Sequence, residues 1–203
     1  MFKNTVVNKP WGYEYQIYEN NDVSIWYLNL KHNQRTSLHA HPNKKTGLIV
    51  LSGVAEISFL NHSFILTPPD KTMIRHGVFH STKAKSKRGL EILEVETPKD
   101  KHDLVRLEDY YGREGTSYED SSHYDHQYIQ TLNDNTELNL GDCTLIKDDI
   151  LRKFYHTVII LDGGIKYKEY PVLAHGDIVD DSTLKRLSEK FDVYPSKIIG
   201  IEY

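Results

Sequence analysis

The 203-residue chain contains one cysteine, Cys143, so no disulfide forms within it. No window approaches the roughly 18 consecutive apolar residues of a spanning helix, and the opening MFKNTVVNKP lacks the apolar centre of a secretory signal. A cytoplasmic protein with no membrane partner is expected. Charge of one sign is nowhere concentrated: 25 lysines and arginines face 29 acidic residues, a formal net charge of -4 without long like-charge blocks. That balance lacks the electrostatic footprint of a nucleic-acid binder. No glycine-rich loop precedes a helix, which excludes a P-loop or dinucleotide site, and no nucleophile elbow appears, which leaves a Ser-His-Asp hydrolase without support. Small molecules and further copies of the chain remain as partners, and a homodimer is expected.

What is present is apolar and aromatic enough to fold: 38% hydrophobic residues, with 14 tyrosines. The length suits one main domain with an appendage. From residue 5 to about residue 97 the chain is a series of short β-type runs between turn residues: VSIWYLNL, TGLIVLSG, VAEISFL, HSFILTP, KTMIRH and LEILEVET. Strands at this spacing predict an antiparallel barrel or sandwich. In VAEISFL, Ala55, Ile57 and Phe59 alternate with Glu56 and Ser58, the pattern of a half-buried strand. The polar stretch 99–127 reads as an extended segment crossing the surface. Residues 1–127 are thus taken as the β-barrel plus this segment.

Residues 128–203 are taken as a C-terminal α+β extension. TLIKDD, TVIILDGGIKY and YPVLAHGDIVD read as strands and turns, with Asp162-Gly163-Gly164 a hairpin signal and Gly176-Asp177 a turn. DSTLKRLSEKF, residues 181–191, reads as a helix capped by Asp181 or Ser182, with Leu184, Leu187 and Phe191 on one face. This part forms a second β-layer under that helix, and either covers the barrel mouth or builds a subunit interface. His156 and His175 have no HXH partner and read as ordinary histidines.

His39 and His41 are one residue apart, so on a strand they face the same way and can aim two imidazoles at one point. His80, in IRHGVFHS after the turn residue Gly77, is the best third ligand, since antiparallel pairing brings it opposite. Three imidazoles suit zinc, iron, nickel or copper. The alternative is a set of polar pocket histidines without a metal.

Two motifs at correct internal spacing make the histidines more specific. The pattern G(X)5HXH(X)3-4E(X)6G fits residues 33–53 at His39, His41 and Gly53, with Asn33 and Thr46 in place of its first glycine and its glutamate. The pattern G(X)5PXG(X)2H(X)3N fits residues 69–84 at Gly77 and His80, with Pro69, Arg75 and Ala84 at the other named positions. The chain therefore resembles the cupin superfamily. That resemblance implies a double-stranded β-helix (jelly-roll) barrel, mainly β, with its ligand pocket inside and a metal held by histidines and a glutamate.

VVNKPWGYEY, SLHAHPNKKTGLIVLSGVAEI, LEILEVETP and HDLVRLEDYYGR further resemble the cupin domain of type II mannose-6-phosphate isomerases over residues 5–113. Pro10-Trp11-Gly12 and the segment Asp103 to Arg113 are its more distinctive parts. Members of that family usually carry glutamine at the position of His39 and glutamate at that of Thr46. The resemblance implies one divalent metal (Zn, Mn, Co, Ni or Fe) on His39, His41 and His80. It also implies a sugar or sugar phosphate as substrate and a place in polysaccharide biosynthesis.

Aldose-ketose isomerisation needs a base and a group that polarises the carbonyl. Glu94 and Glu96 alternate to one face of EILEVET, as a base, as a substitute ligand, or as an exterior pair in water. Arg106 and Arg113 offer planar donors for a phosphate, or pair structurally with Glu108 or Asp109. The candidate catalytic set is Glu94, Glu96 and Arg106. The candidate substrate contacts are Lys45, Arg106 and Arg113; Lys44 and Lys45 otherwise read as a solvated turn. A non-catalytic sugar-binding cupin and a three-histidine iron dioxygenase are the competing functions.

Overall fold

The computed structural model describes residues 4–116, 118, 122–123, 129–132, 137–148 and 154–203. The first half comprises β1 (Val6–Lys9), β2 (Gly12–Glu19), β3 (Ser24–Leu30), β4 (Leu38–Ala40), β5 (Lys45–Ser52), β6 (Ala55–Phe59), β7 (Ser63–Leu66), β8 (Lys71–Ile74), β9 (His80–Ala84), β10 (Leu90–Thr97), β11 (Val105–Glu108) and β12 (Ser122–His123). The second half comprises β13 (Glu137–Leu140), β14 (Cys143–Asp148), β15 (Thr157–Tyr167), β16 (Tyr170–Leu173), β17 (Ile178–Val179), α1 (Asp181–Ser188) and β18 (Asp192–Glu202). No helix among the described residues is long and apolar enough to cross a membrane.

The first two sheets make the barrel, in the orders β12-β1-β2-β3-β10-β5-β8 and β11-β4-β9-β6-β7. All their pairings are antiparallel. The register sets Glu94 opposite Trp26 and Leu48, and Glu96 opposite Ser24 and Thr46. Because side chains alternate across a strand, one face of the large sheet carries Trp26, Leu28, Leu48, Val50 and Ile92 into the barrel, with Ile57 and Ala84 of the second sheet. Glu94 and Glu96 share the parity of Ile92 and face the same interior, so the exterior reading of this pair is excluded.

The opposite face carries Ile25, Tyr27, Ile49, Leu51, Leu93 and Val95, and it is buried too. Its cover is the third sheet, in the order β13-β14-β18-β15-β16, whose Leu138, Leu145, Ile159, Leu161, Ile199 and Ile201 complete the same core. Burial on both faces explains why GLIVLSG and LEILEVET read as continuous apolar runs. The far side of the third sheet is closed by α1, with Leu184, Leu187 and Phe191 against Tyr155, Val158, Ile160 and Ile198. The C-terminal residues thus cover the back of the barrel sheet. None of the described residues among them lines the barrel's cavity, so the expected cover over the barrel mouth is not found there.

Asp162-Gly163-Gly164 is no hairpin: it lies within β15 as two register shifts against β18, with Gly163 at φ 75°. The chain reverses instead after Tyr167, which pairs with Tyr170. A glycine inside a strand relieves a bulge as readily as it makes a turn. The helix is preceded by Asp180, not capped by Asp181 or Ser182, and Asp180 makes no side-chain cap bond because its carboxylate pairs with Lys71. Of the polar stretch expected to cross the surface, residues 105–108 join the second sheet, Tyr118 is buried, and residues 117, 119–121 and 124–127 lie outside the described residues.

Asn33 has φ 61°, the left-handed region that asparagine tolerates better than other non-glycine residues. It therefore supplies the backbone shape for which the motif specifies glycine. Gly53 is less replaceable: at φ 91°, a Cβ there would come 2.5 Å from the Gly89 carbonyl oxygen.

Cys143 sits in the shared core with its Sγ 3.7 Å from the Leu51 carbonyl, and burial pushes its thiol up to about 11. At pH 8 the thiol is protonated and enclosed, so a chromogenic disulfide reagent should detect no thiol in the native protein and one per chain in denaturant. One reactive thiol in the native state would show that the third sheet does not seal this face.

Candidate metal centre

His39 lies on β4 and His80 opens β9, and these two residues are directly paired across the antiparallel strands. His41 follows β4 on the same face, and its carbonyl accepts from the Gly77 N–H at 2.7 Å. The three ring centroids are 4.5 to 5.4 Å apart. One nitrogen of each ring falls within 4.8 Å of the others, and all three residues are buried.

Each ring is oriented from behind. The Nδ1 atoms of His39, His41 and His80 lie 2.8, 2.7 and 2.9 Å from the carbonyl oxygens of Ser37, Asp103 and Val78. A carbonyl only accepts, so each Nδ1 carries the proton and each Nε2 keeps its lone pair. Burial holds all three rings below the usual imidazole range, with the neighbouring histidines adding to this for His39 and Lys44 for His41, which is brought down to about 3. The rings are neutral at pH 7. The Nε2 of His41 is buried with no hydrogen-bond partner, a costly state for a polar atom unless it has a ligand.

Neutral imidazoles with backbone-anchored Nδ1–H groups and converging lone pairs form a donor set that fits a divalent transition metal. The cluster contains no carboxylate among the described residues. Thr46, at the motif's glutamate position, is fully buried with its hydroxyl unpartnered.

His39 and His41 open onto a cavity that Glu94, Glu96, Arg106 and Arg113 also line. Lys45 does not line it: its ammonium reaches Asp177 of the third sheet at 2.6 Å. Lys44 takes the inward place, with its side chain 1% exposed and its Nζ 2.5 Å from Glu96 Oε1 and 3.0 Å from the Asp100 carbonyl. Its inward direction was readable, since Lys44 and Thr46 share parity and Thr46 stands at the motif's ligand position. Arg113 forms a two-point ion pair with Asp109 at 3.1 and 2.6 Å, and Arg106 donates to the Thr116 carbonyl at 2.6 Å.

Several cavity residues went unread in the sequence. Lys101 lies 3.1, 3.3 and 3.8 Å from Glu94, Glu96 and Glu14, and 4.1 Å above the Trp26 ring. Burial pulls its pKa down, and these carboxylates more than offset that and hold it above the usual lysine range. Tyr118 donates to Glu14 and lies under the Lys9 ammonium. Asp103 is the organiser. Its carbonyl orients His41, while its carboxylate accepts from the N–H groups of Asn43 and Lys44 at 2.9 and 3.0 Å. No local pattern marks Lys101, Tyr118 or Glu14, because the contact of both Lys101 and Tyr118 with Glu14 is made only by the fold.

A two-sheet antiparallel barrel with three imidazoles converging inside it is a cupin. Residues 2–109 match the family model described as "Mannose-6-phosphate isomerase C-terminal", and the chain belongs to that family. Over 109 residues it is 33% identical to the xanthan biosynthesis protein XanB of Xanthomonas campestris, and 31% identical to the alginate biosynthesis protein AlgA of Pseudomonas aeruginosa. Each match covers 53% of this chain and 23% of the relative, so the chain matches less than a quarter of these proteins' length. Among solved structures, a double-stranded β-helix protein from Klebsiella pneumoniae is similar at 20% identity and TM-score 0.44, over 47% of this chain and 84% of that one.

Replacing His80 by alanine should abolish metal retention while leaving the circular dichroism spectrum unchanged, as read by elemental mass spectrometry of untagged protein. Full occupancy in that variant would remove His80 from the ligand set. Asp103→Ala, which frees the loop behind His41, should weaken metal affinity by about 10- to 100-fold, measured by competition with a chromogenic chelator.

Proposed function

We propose that the chain is a metal-dependent aldose-ketose isomerase acting on a sugar phosphate, with one divalent ion on His39, His41 and His80 and Glu94 as the base. The observation that carries this is the placing of Glu94, with one oxygen outside its ion pair, in the cavity that His39 and His41 line. When bound, the ion would act as a Lewis acid toward a substrate oxygen.

Glu94 and Glu96 divide the carboxylate roles. Glu96 is 1% exposed, and both its oxygens are engaged, Oε1 by Lys44 and Lys101 and Oε2 by Ser24 at 3.1 Å. It is the counter-ion of the ammonium groups. Glu94, which lines the cavity, is 10% exposed and accepts from Lys101 at Oε2, which leaves Oε1 outside the ion pair. Burial would raise its pKa, but Lys101 and then Lys44 hold it below the usual value, so it is ionised near neutrality. That is the state a base requires.

Glu94 takes the proton from the carbon next to the carbonyl and returns it to the adjacent carbon. Five cationic side chains and three carboxylates line the cavity, an excess that suits an anionic substrate. Arg106, near the Thr116 carbonyl, is the phosphate contact, and Arg113 holds the wall through Asp109. The family description names mannose 6-phosphate, and the printed names of XanB and AlgA place those relatives in polysaccharide biosynthesis. This chain is assigned to the same branch of carbohydrate metabolism.

The test is conversion of mannose 6-phosphate to fructose 6-phosphate, followed in deuterium oxide by NMR with metal-loaded protein. Glu94→Gln should retain its metal and lose about 10²- to 10⁴-fold in rate. Wild-type rates in that variant would remove Glu94 as the base. No isomerisation of any hexose or pentose phosphate by the loaded wild type would overturn the isomerase, and bound iron with substrate-dependent oxygen uptake would replace it with an oxygenase.

A further inference from the structure

Lys44 has three N–H donors and, in the structure, two acceptors: Glu96 Oε1 and the Asp100 carbonyl. The side chain is almost wholly buried and lines the cavity shared with His39 and His41. Lys101, by contrast, is committed to three carboxylates and a Trp26 ring face. The backbone at Lys44 is pinned by the Asp103 carboxylate, and the same residue's carbonyl orients His41. One residue thus sets both the ammonium and a ring of the centre. The charge of Lys44 also bears on all three imidazoles and depresses their basicity.

We infer that Lys44 is a second catalytic residue, whose third N–H donates to the substrate oxygen on which negative charge accumulates. The inference rests on the isomerase reading above. When Glu94 removes the proton from C2, the C2–H pair forms the C1=C2 bond and the carbonyl π pair moves onto O1. Lys44 donates to that oxygen. Return of the proton from Glu94 to C1, with the hydroxyl proton passing from O2 to O1, gives the ketose without any co-reactant. A buried, preoriented donor needs no reorganisation as the charge develops. With Thr46 in place of a carboxylate, the centre lacks the anion that would otherwise repel an enediolate.

Removing Lys44 alone would strand buried Glu96, so the informative comparison is Lys44→Met/Glu96→Gln against Glu96→Gln, with folding checked by thermal melting. The probe is a phosphorylated aldonohydroxamate, a planar anion with adjacent oxygens like those of the enediolate, titrated calorimetrically into the metal-loaded protein. Metal content should be equal in both variants. The hydroxamate should bind the double variant about 10²- to 10³-fold more weakly than Glu96→Gln, with kcat falling by the same factor and KM little changed. Lys44→Arg should recover part of both losses. Equal hydroxamate affinity in the two variants, or no hydroxamate binding by the wild type, overturns the role of Lys44. Absent turnover with hydroxamate binding still dependent on Lys44 overturns only the isomerase.

Discussion

Strand β10 has no solvent face, and the rest of the molecule is arranged around that constraint. Its odd residues, Leu93 and Val95, belong to the core shared with the third sheet, while Ile92 faces the barrel interior with Glu94 and Glu96. A pleated strand sends neighbours to opposite sides, so both demands are met in eight residues. The carboxylates enter the cavity because their neighbours on either side are needed in the core.

Burying these carboxylates is expensive in isolation, and the structure compensates them in kind. Lys44 and Lys101 reach Glu96 within 3.3 Å, and Lys101 also reaches Glu94 and Glu14. Replacing such a network with well-packed apolar groups is often neutral or stabilising. Its contribution to stability alone therefore does not account for it. The histidines show the complementary solution: held neutral by burial, they avoid the cost of charge and keep their lone pairs for a ligand.

Residues 137–202 answer a different need. The outward face of the large barrel sheet is as apolar as its inward face, and the third sheet covers it with Leu145, Ile159, Ile199 and Ile201. The Lys45–Asp177 and Lys71–Asp180 pairs fasten the rim of this contact. Because Lys45 is used there, the neighbouring Lys44 is the lysine of this loop that serves the cavity. The back support and the cavity lining are set by adjacent residues of one chain segment.

The short strand runs, the common face of His39 and His41 and the spacing to His80 were written in the sequence, because each depends on a local period of two or on a fixed distance between motif positions. The helix expected over residues 181–191 was legible through the 3.6-residue spacing of Leu184, Leu187 and Phe191, and it ends earlier, at Ser188. The orientation of Glu94 and Glu96 was not, since a strand buried on both faces has no polar alternation to reveal which side is inside. The Asp162-Gly163-Gly164 signal was equally ambiguous, as glycine serves bulge and turn alike. Lys101, Tyr118, Glu14 and the two-sided role of Asp103 were decided only by the tertiary structure. Glu14 lies tens of residues from Lys101 and Tyr118, as Asp103 does from His41, and a buried charge is recognisable only once the opposite charge has been folded against it.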